Sequence, residues 1–227
     1  EYPFQILKNY PSDLFDKMYE TYASSYLLSV SYFYQLLEDI YKKLEEELLI
    51  DPKDYFEYIN PTPIASASIS QVYVGRLING EKIVIKVKRS NIEQIIRSDV
   101  MIMKDLAKIL EKNYEAAKRM NLNQLINSFE NNMNRELSLT NEFHNIEKFR
   151  KNFETRPEVY IPTTYKELSN NNILTMEFIE GFKVNNKEKI LELGMLPKDV
   201  AQLGVVLFMK MVLEDGFFHA DPHPGNV

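Results

Sequence analysis

The stretch that most narrows the possible folds is Val72-Tyr73-Val74-Gly75-Arg76-Leu77, followed by Asn79-Gly80 and then Ile83-Val84-Ile85-Lys86-Val87-Lys88. Asn-Gly between two such runs is the strongest short hairpin signal. Residues 69–88 are therefore expected to form an antiparallel hairpin. Alternation along the second strand puts Val84, Lys86 and Lys88 on one face and Ile83, Ile85 and Val87 on the other. A lysine inside a β-branched run is either an edge-strand solubiliser or a functional cation. The strand by itself favours the edge lysine.

Upstream, Asn60-Pro61-Thr62-Pro63 marks a boundary. Ile64-Ala65-Ser66-Ala67-Ser68-Ile69-Ser70 follows. Small side chains let a backbone lie close to a ligand, and exposed amides in such a turn can hold phosphate oxygens. Taken alone, the segment reads as a plain connector. Residues 12–49 are expected to be helical, with Ser12 or Asp13 as cap and Leu14, Phe15, Met18, Tyr19 and Tyr22 at helical spacing. A second stripe carries Phe33, Leu36, Leu37, Ile40, Tyr41, Leu44 and Leu48, and is expected to pack inward. The aromatic stretch 26–34 could alternatively meet a membrane surface or a partner helix.

Residues 90–154 read as mostly helical, with Met101, Leu106, Ile109 and Leu110 as one apolar set and Leu122, Leu125, Ile126 and Phe129 as another. A continuous helix would place Ser138 and Glu142 on one face, with Glu136 about 120° round. Ile173–Ile179 is expected to be a strand, after an Asn170-Asn171-Asn172 turn. Residues 197–215 are nearly apolar all round and too short to span a bilayer, so a buried helix is expected.

Composition adds exclusions. The chain has 227 residues, 44% hydrophobic and 26% charged, which reads as globular. A net charge of -6 and no dense basic block argue against nucleic acid as a partner. With no cysteine, disulfides, thiolate nucleophiles and cysteine zinc sites are excluded. No apolar run has the length of a membrane span, and the start shows no signal-peptide pattern.

The last twelve residues hold His219, Asp221, His223 and Asn226 in a loop shaped by Pro222, Pro224 and Gly225. A zinc hydrolase is one reading, but the prolines prevent the helical His-x-x-x-His geometry. The order of parts points elsewhere. A small-residue loop, a strand lysine, helical acids, a strand ending Met176-Glu177-Phe178 and an Asp221-to-Asn226 spacing of five follow the protein-kinase sequence of parts.

The wording Ala-Ser-Ala-Ser-Ile-Ser-Gln-Val, Ile-Lys-Val-Lys-Arg, Asn-Glu-Phe-His-Asn-Ile-Glu-Lys-Phe, Leu-Thr-Met-Glu-Phe-Ile-Glu-Gly and Phe-Phe-His-Ala-Asp-Pro-His-Pro-Gly-Asn resembles the UbiB-type atypical kinases, the aarF-domain family. The resemblance implies an α+β, protein-kinase-like N-lobe, an antiparallel sheet with inserted helices, plus an N-terminal helical extension and the start of a helical C-lobe. The expected division is 1–60, 61–180 and 181–227. It implies ATP or ADP with Mg2+, and support of isoprenoid-quinone (coenzyme Q) or related lipid metabolism. The expected partners are nucleotide and a membrane surface or quinone-pathway proteins and lipids. The expected location is the mitochondrial inner membrane, with plastid or bacterial membranes as alternatives.

By position, Ala65, Ser66, Ala67 and Ser68 resemble the nucleotide loop. Lys86 resembles the phosphate-holding lysine and Glu142 its ion-pair partner. Val84 would lie under the base, and Met176, Glu177 and Ile179 resemble the hinge region. Asp221 resembles the catalytic aspartate and Asn226 a magnesium ligand.

Departures are Gln5 alone from the family's Lys-x-Gly-Gln, Ser138 in place of the aspartate of Glu-x-Asp, Ser66 in the alanine loop and Ser70 in place of glycine. The Asp-Phe-Gly expected after Asn226 falls past Val227, so the chain as it stands is not expected to turn over. These departures also allow a non-catalytic scaffold.

Overall fold

A computed structural model describes residues 35–220. The expectations for the first helix, Phe33, the 26–34 aromatics, Asp221, His223 and Asn226 lie outside these residues. The described chain forms two units. One comprises the residues up to Glu147 together with Thr163–Phe178; the other comprises Lys148–Pro162 and the residues from Ile179 onward.

In the first unit, β1 (Phe56–Ile59), β2 (Ala65–Ser66), β3 (Ser70–Leu77), β4 (Lys82–Lys88) and β5 (Ile173–Glu177) form one antiparallel sheet. Its order is β1-β3-β4-β5, with β2 also on β3. The hairpin is as expected, with Val74 opposite Val84 and Val72 opposite Lys86. Its loop turns on Gly80 alone, at φ +88°, with Gly80 N donating to Leu77 O. The edge-lysine expectation fails: β4 has β3 on one side and β5 on the other. The sheet also reaches back across Asn60-Pro61 to recruit β1.

The two faces of β4 have different fates. Ile83, Ile85 and Val87 are buried against Ile40 and Leu44 of α1, helical over residues 35–48, with Phe56, Ile59, Leu77, Leu168 and Ile173. The other face carries Val84 and Lys86. The sheet thus pins α1 on one side and presents a cation on the other.

α1 is also tied by its C-terminal turn. Asn170 Nδ2 donates to Glu47 O at 2.6 Å, and Asn172 Nδ2 to Glu47 Oε2 at 2.7 Å. Burial opposes ionisation of Glu47, but Asn172, Lys43 and Lys88 together hold its carboxyl below the ordinary value.

The helical region is broken into α2 (Ile92–Asn113), α3 (Glu115–Met120), α4 (Leu122–Glu136) and α5 (Leu139–Asn152). The core of the α2–α4 pair is Val100, Ala107 and Ile126, with Ile96 and Leu122 packed on it. Of the two apolar sets read from the sequence, Met101, Leu106, Ile109, Leu125 and Phe129 are exposed. α2 has apolar residues over more than half of its circumference, and the seam with α4 forms where small Ala107 permits close approach. Lys104 to Glu130 at 2.5 Å and Asn123 to Glu111 at 2.6 Å fasten the pair.

In the second unit, α6 (Lys187–Glu192) precedes α7 (Pro197–Leu213). The expectation of a buried α7 is not met: no residue of it is buried, and Leu213 is 72% exposed. An apolar helix is covered only where partner surface exists, and the described part of this unit supplies little.

Two outcomes test this packing. A Cβ on Gly75 would meet Tyr58 O at 2.8 Å, where β1 crosses β3. Gly75→Ala should therefore destabilise by about 1–3 kcal/mol in urea unfolding. Glu47's folded pKa is depressed, so its contribution is full above the ordinary carboxylate value and is lost as pH falls through the folded one. Glu47→Gln should flatten the loss of stability below about pH 4, measured as Tm against pH.

Candidate functional site

The site face of the first unit is set by strand register. Directly opposed residues share a face, so Val74, Val84 and Met176 form one row and Val72, Lys86 and Leu174 the next. Lys86 is thus flanked by apolar side chains on a central strand, with 23% of its side chain exposed. A cation there needs a partner, since desolvating an unpaired ammonium is costly.

That partner is Glu142. Lys86 Nζ lies 2.7 Å from Glu142 Oε2 and 2.9 Å from Oε1. Glu142 sits in the first turn of α5. Ser138 precedes that helix and accepts from Asn141 N through Oγ at 3.3 Å and through its backbone carbonyl at 3.1 Å. The continuous-helix expectation is therefore corrected. Glu136 ends α4 and Leu137 caps it, so the 120° relation to Glu142 does not apply. The break is what lets α5 aim its first turn at β4. Leu137 and Leu139, buried on either side of Ser138, anchor the corner.

The small-residue segment is a tight turn rather than an open loop. Ala65 and Ser66 pair with Val72 and Gln71, and Ala67 N donates to Ser70 O at 2.9 Å. No residue of it has positive φ, and Ala65, Ser66, Ala67 and Ser68 are all exposed. One amide of the turn, that of Ala67, is therefore already committed within it.

Arg89, just past β4, reaches this turn three ways. Its N donates to Ile69 O at 2.9 Å, its Nε to Ala67 O at 3.0 Å and its Nη2 to Ser66 Oγ at 2.7 Å. Sequence reasoning assigned Arg89 no role. The only signal for it was its place three residues after Lys86. Lys88, only 6% exposed, pairs with Glu93 at 2.9 Å and was likewise missed.

At the end of β5, Glu177 N donates to Thr163 O and Phe178 N to Lys82 O. These two amides are used by neighbouring backbone. The unit boundary falls between Phe178 and Ile179.

In the second unit, the segment leading to His219 is fixed by an aromatic and ionic cluster. Phe217 lies 4.8 Å from Phe149 between centroids, with Lys148 Nζ 4.1 Å from the Phe217 ring. Lys210 pairs with Asp215 at 2.7 Å and donates to Asn152 O at 3.0 Å. His219 itself is exposed. Among the described residues no group of three or more His, Cys, Asp or Glu could hold a metal. Asp221 and Asn226 lie outside them.

Comparison with known proteins places this arrangement. The family profile described as the ABC1 atypical kinase-like domain matches residues 33–227. A probable protein kinase UbiB of Pseudomonas aeruginosa is 37% identical over 82% of this chain and 35% of its own length. A probable protein kinase UbiB of Marinobacter nauticus is 35% identical over 81% and 34% respectively. An uncharacterised protein of Synechocystis is 35% identical over 82% and 33%. The chain thus spans about a third of the length of these curated relatives. Among solved structures, the Rv3197–erythromycin complex from Mycobacterium tuberculosis superposes with a TM-score of 0.67 at 22% identity, over 83% of this chain and 47% of that one. The chain belongs to the ABC1 atypical kinase-like family and has its α+β, kinase-like fold.

The Lys86–Glu142 pair is open to a double-mutant cycle. Lys86→Met, Glu142→Gln and the double variant should show a coupling of about 1 kcal/mol in unfolding free energy, shrinking with added salt. Zero coupling at low salt would mean that Glu142 does not hold the lysine.

Proposed function

We propose that, as a member of this family, the protein binds an adenine nucleotide on the Lys86 face and acts as an atypical kinase or ATPase in isoprenoid-quinone (coenzyme Q) or related lipid metabolism. The Lys86–Glu142 pair carries this reading. A central-strand lysine fixed by a helix carboxylate, one strand away from an exposed small-residue turn, is a means of holding polyphosphate charge.

The roles divide accordingly. Lys86 neutralises phosphate oxygens while Glu142 keeps its ammonium in place. Ala65–Ser68 supply close-approach backbone. Val84 and Met176, adjacent in register, offer an apolar surface for the base. With the Glu177 and Phe178 amides already bonded, the hinge contact falls to the remaining polar groups between Glu177 and Ile179. Asp221, by its resemblance to the family's catalytic aspartate, takes or orients the acceptor proton. Asn226 is assigned as an oxygen ligand for Mg2+, which when bound offsets charge on the transferring phosphoryl group. The quinone or lipid connection, a membrane-surface partner and a mitochondrial inner-membrane, plastid or bacterial-membrane location rest on the family resemblance. No helix among the described residues is long and apolar enough to cross a membrane.

A scaffold without turnover is the second reading. Ser138 favours it, because a hydroxyl capping α5 replaces the carboxylate of the family's Glu-x-Asp pair.

Mg-ATP or Mg-ADP should raise the Tm of the full-length protein, by the equivalent of about 2.7 kcal/mol at a hundredfold excess over Kd. Lys86→Ala should abolish the shift. An unchanged wild-type Tm would overturn nucleotide binding. Phosphate release or transfer that disappears in Asp221→Asn would exclude the scaffold.

A further inference from the structure

The loop and the lysine must be held in one frame if both are to meet the same phosphates, and β4 supplies that frame. Arg89 is three residues from Lys86 along the same backbone, at the point where the strand ends. Its amide and guanidinium together take the carbonyls of Ile69 and Ala67 and the hydroxyl of Ser66, bracketing exposed Ser68 at the tip. A planar guanidinium can make two such bonds at fixed spacing, whereas an ammonium cannot.

The turn has reason to need this hold. Ser70, whose carbonyl closes it, is only 1% exposed, with its hydroxyl unpaired. A buried hydroxyl without a partner favours opening, which would hydrate it. Ser70 also faces the same side of the sheet as Lys88 and Lys86. The segment from Ser66 to Val74 contains no glycine, so it does not gain shape from left-handed backbone.

We propose that Arg89, with Ser66 as its acceptor, is a positioning residue that pins the small-residue turn over the Lys86 face and so sets nucleotide affinity. This rests on the nucleotide-binding reading above. Arg89 acts through the shape of the turn rather than through its charge. Ser66, a departure from the family's alanine, is then part of the device.

Amide hydrogen exchange and Mg-ATP binding in the full-length protein separate the possibilities. In Arg89→Ala and Arg89→Lys, exchange at residues 66–69 without nucleotide should accelerate by about fivefold to tenfold, and nucleotide Kd should rise by a similar factor. Ser66→Ala should give a smaller change in the same direction. Ser70→Ala, which removes the orphan hydroxyl, should leave exchange unchanged or slower.

Unchanged exchange in Arg89→Ala would overturn the pin. Full recovery of affinity in Arg89→Lys would show that charge, not the fork, is what matters, and would overturn it as well. Faster exchange with unchanged Kd would overturn its link to the site. If the wild type binds no nucleotide, the functional reading fails and the affinity role with it, while the exchange data still report whether Arg89 holds the turn.

Discussion

A charged side chain on a central strand imposes a condition that the rest of the first unit meets. β4 is hydrogen-bonded on both sides, so Lys86 cannot escape to an edge, and the residues directly opposite it, Val72 and Leu174, are apolar. Its ammonium therefore has to be met on the sheet face by an opposite charge. That requirement explains the corner at Leu137-Ser138-Leu139. A straight continuation of α4 would give Glu142 another direction; breaking the helix at a serine cap, with leucines buried on both sides, starts α5 where its first turn reaches the lysine. The opposite face of β4 is free of this demand and takes the role of the core, closing on Ile40 and Leu44 of α1.

Much of this was legible. The hairpin was readable because period-two alternation and Asn79-Gly80 agree, and local consistency of that sort is strong evidence. The Lys86–Glu142 relation was not readable from spacing, since the residues are 56 apart; only the order of kinase-like parts suggested it. What failed has a common cause. Periodicity reports that a helix has an apolar side, not which apolar residues meet a neighbour. In α2 the apolar arc is wider than one seam, so the set read from the sequence, with Met101, Leu106 and Ile109, is not the one that packs, which centres on Val100 and Ala107. In α7 the same breadth suggested burial, but the described residues provide little to bury it against. Strand β1 was missed because Phe56-Glu57-Tyr58-Ile59 is too short, and its pairing too irregular, to leave an alternation signal.

Each helix of the α2–α4 pair keeps an exposed apolar face. Ile95, Ile102, Leu106 and Ile109 repeat along α2, and Leu125 and Phe129 along α4. Their ion pairs and the Glu111–Asn123 bonds lie at the seam, so the pair holds together without that face.

The Ala65–Ser68 turn shows how a small-residue loop can be specified without glycine. Glycine-rich loops gain close approach through backbone conformations that only glycine adopts cheaply. Here the backbone stays in ordinary regions, and close approach comes from the short side chains of Ala65, Ser66, Ala67 and Ser68. The consequence is a turn whose own hydrogen bond uses the Ala67 amide and whose base hides an unsatisfied hydroxyl at Ser70. Its pairing with β3 is supplemented from the end of β4, where Arg89 bonds Ala67 O and Ser66 Oγ. Lys86 within β4 and Arg89 directly after it make one stretch of chain responsible both for the cation and for holding the turn. A shift of that stretch would then move both together.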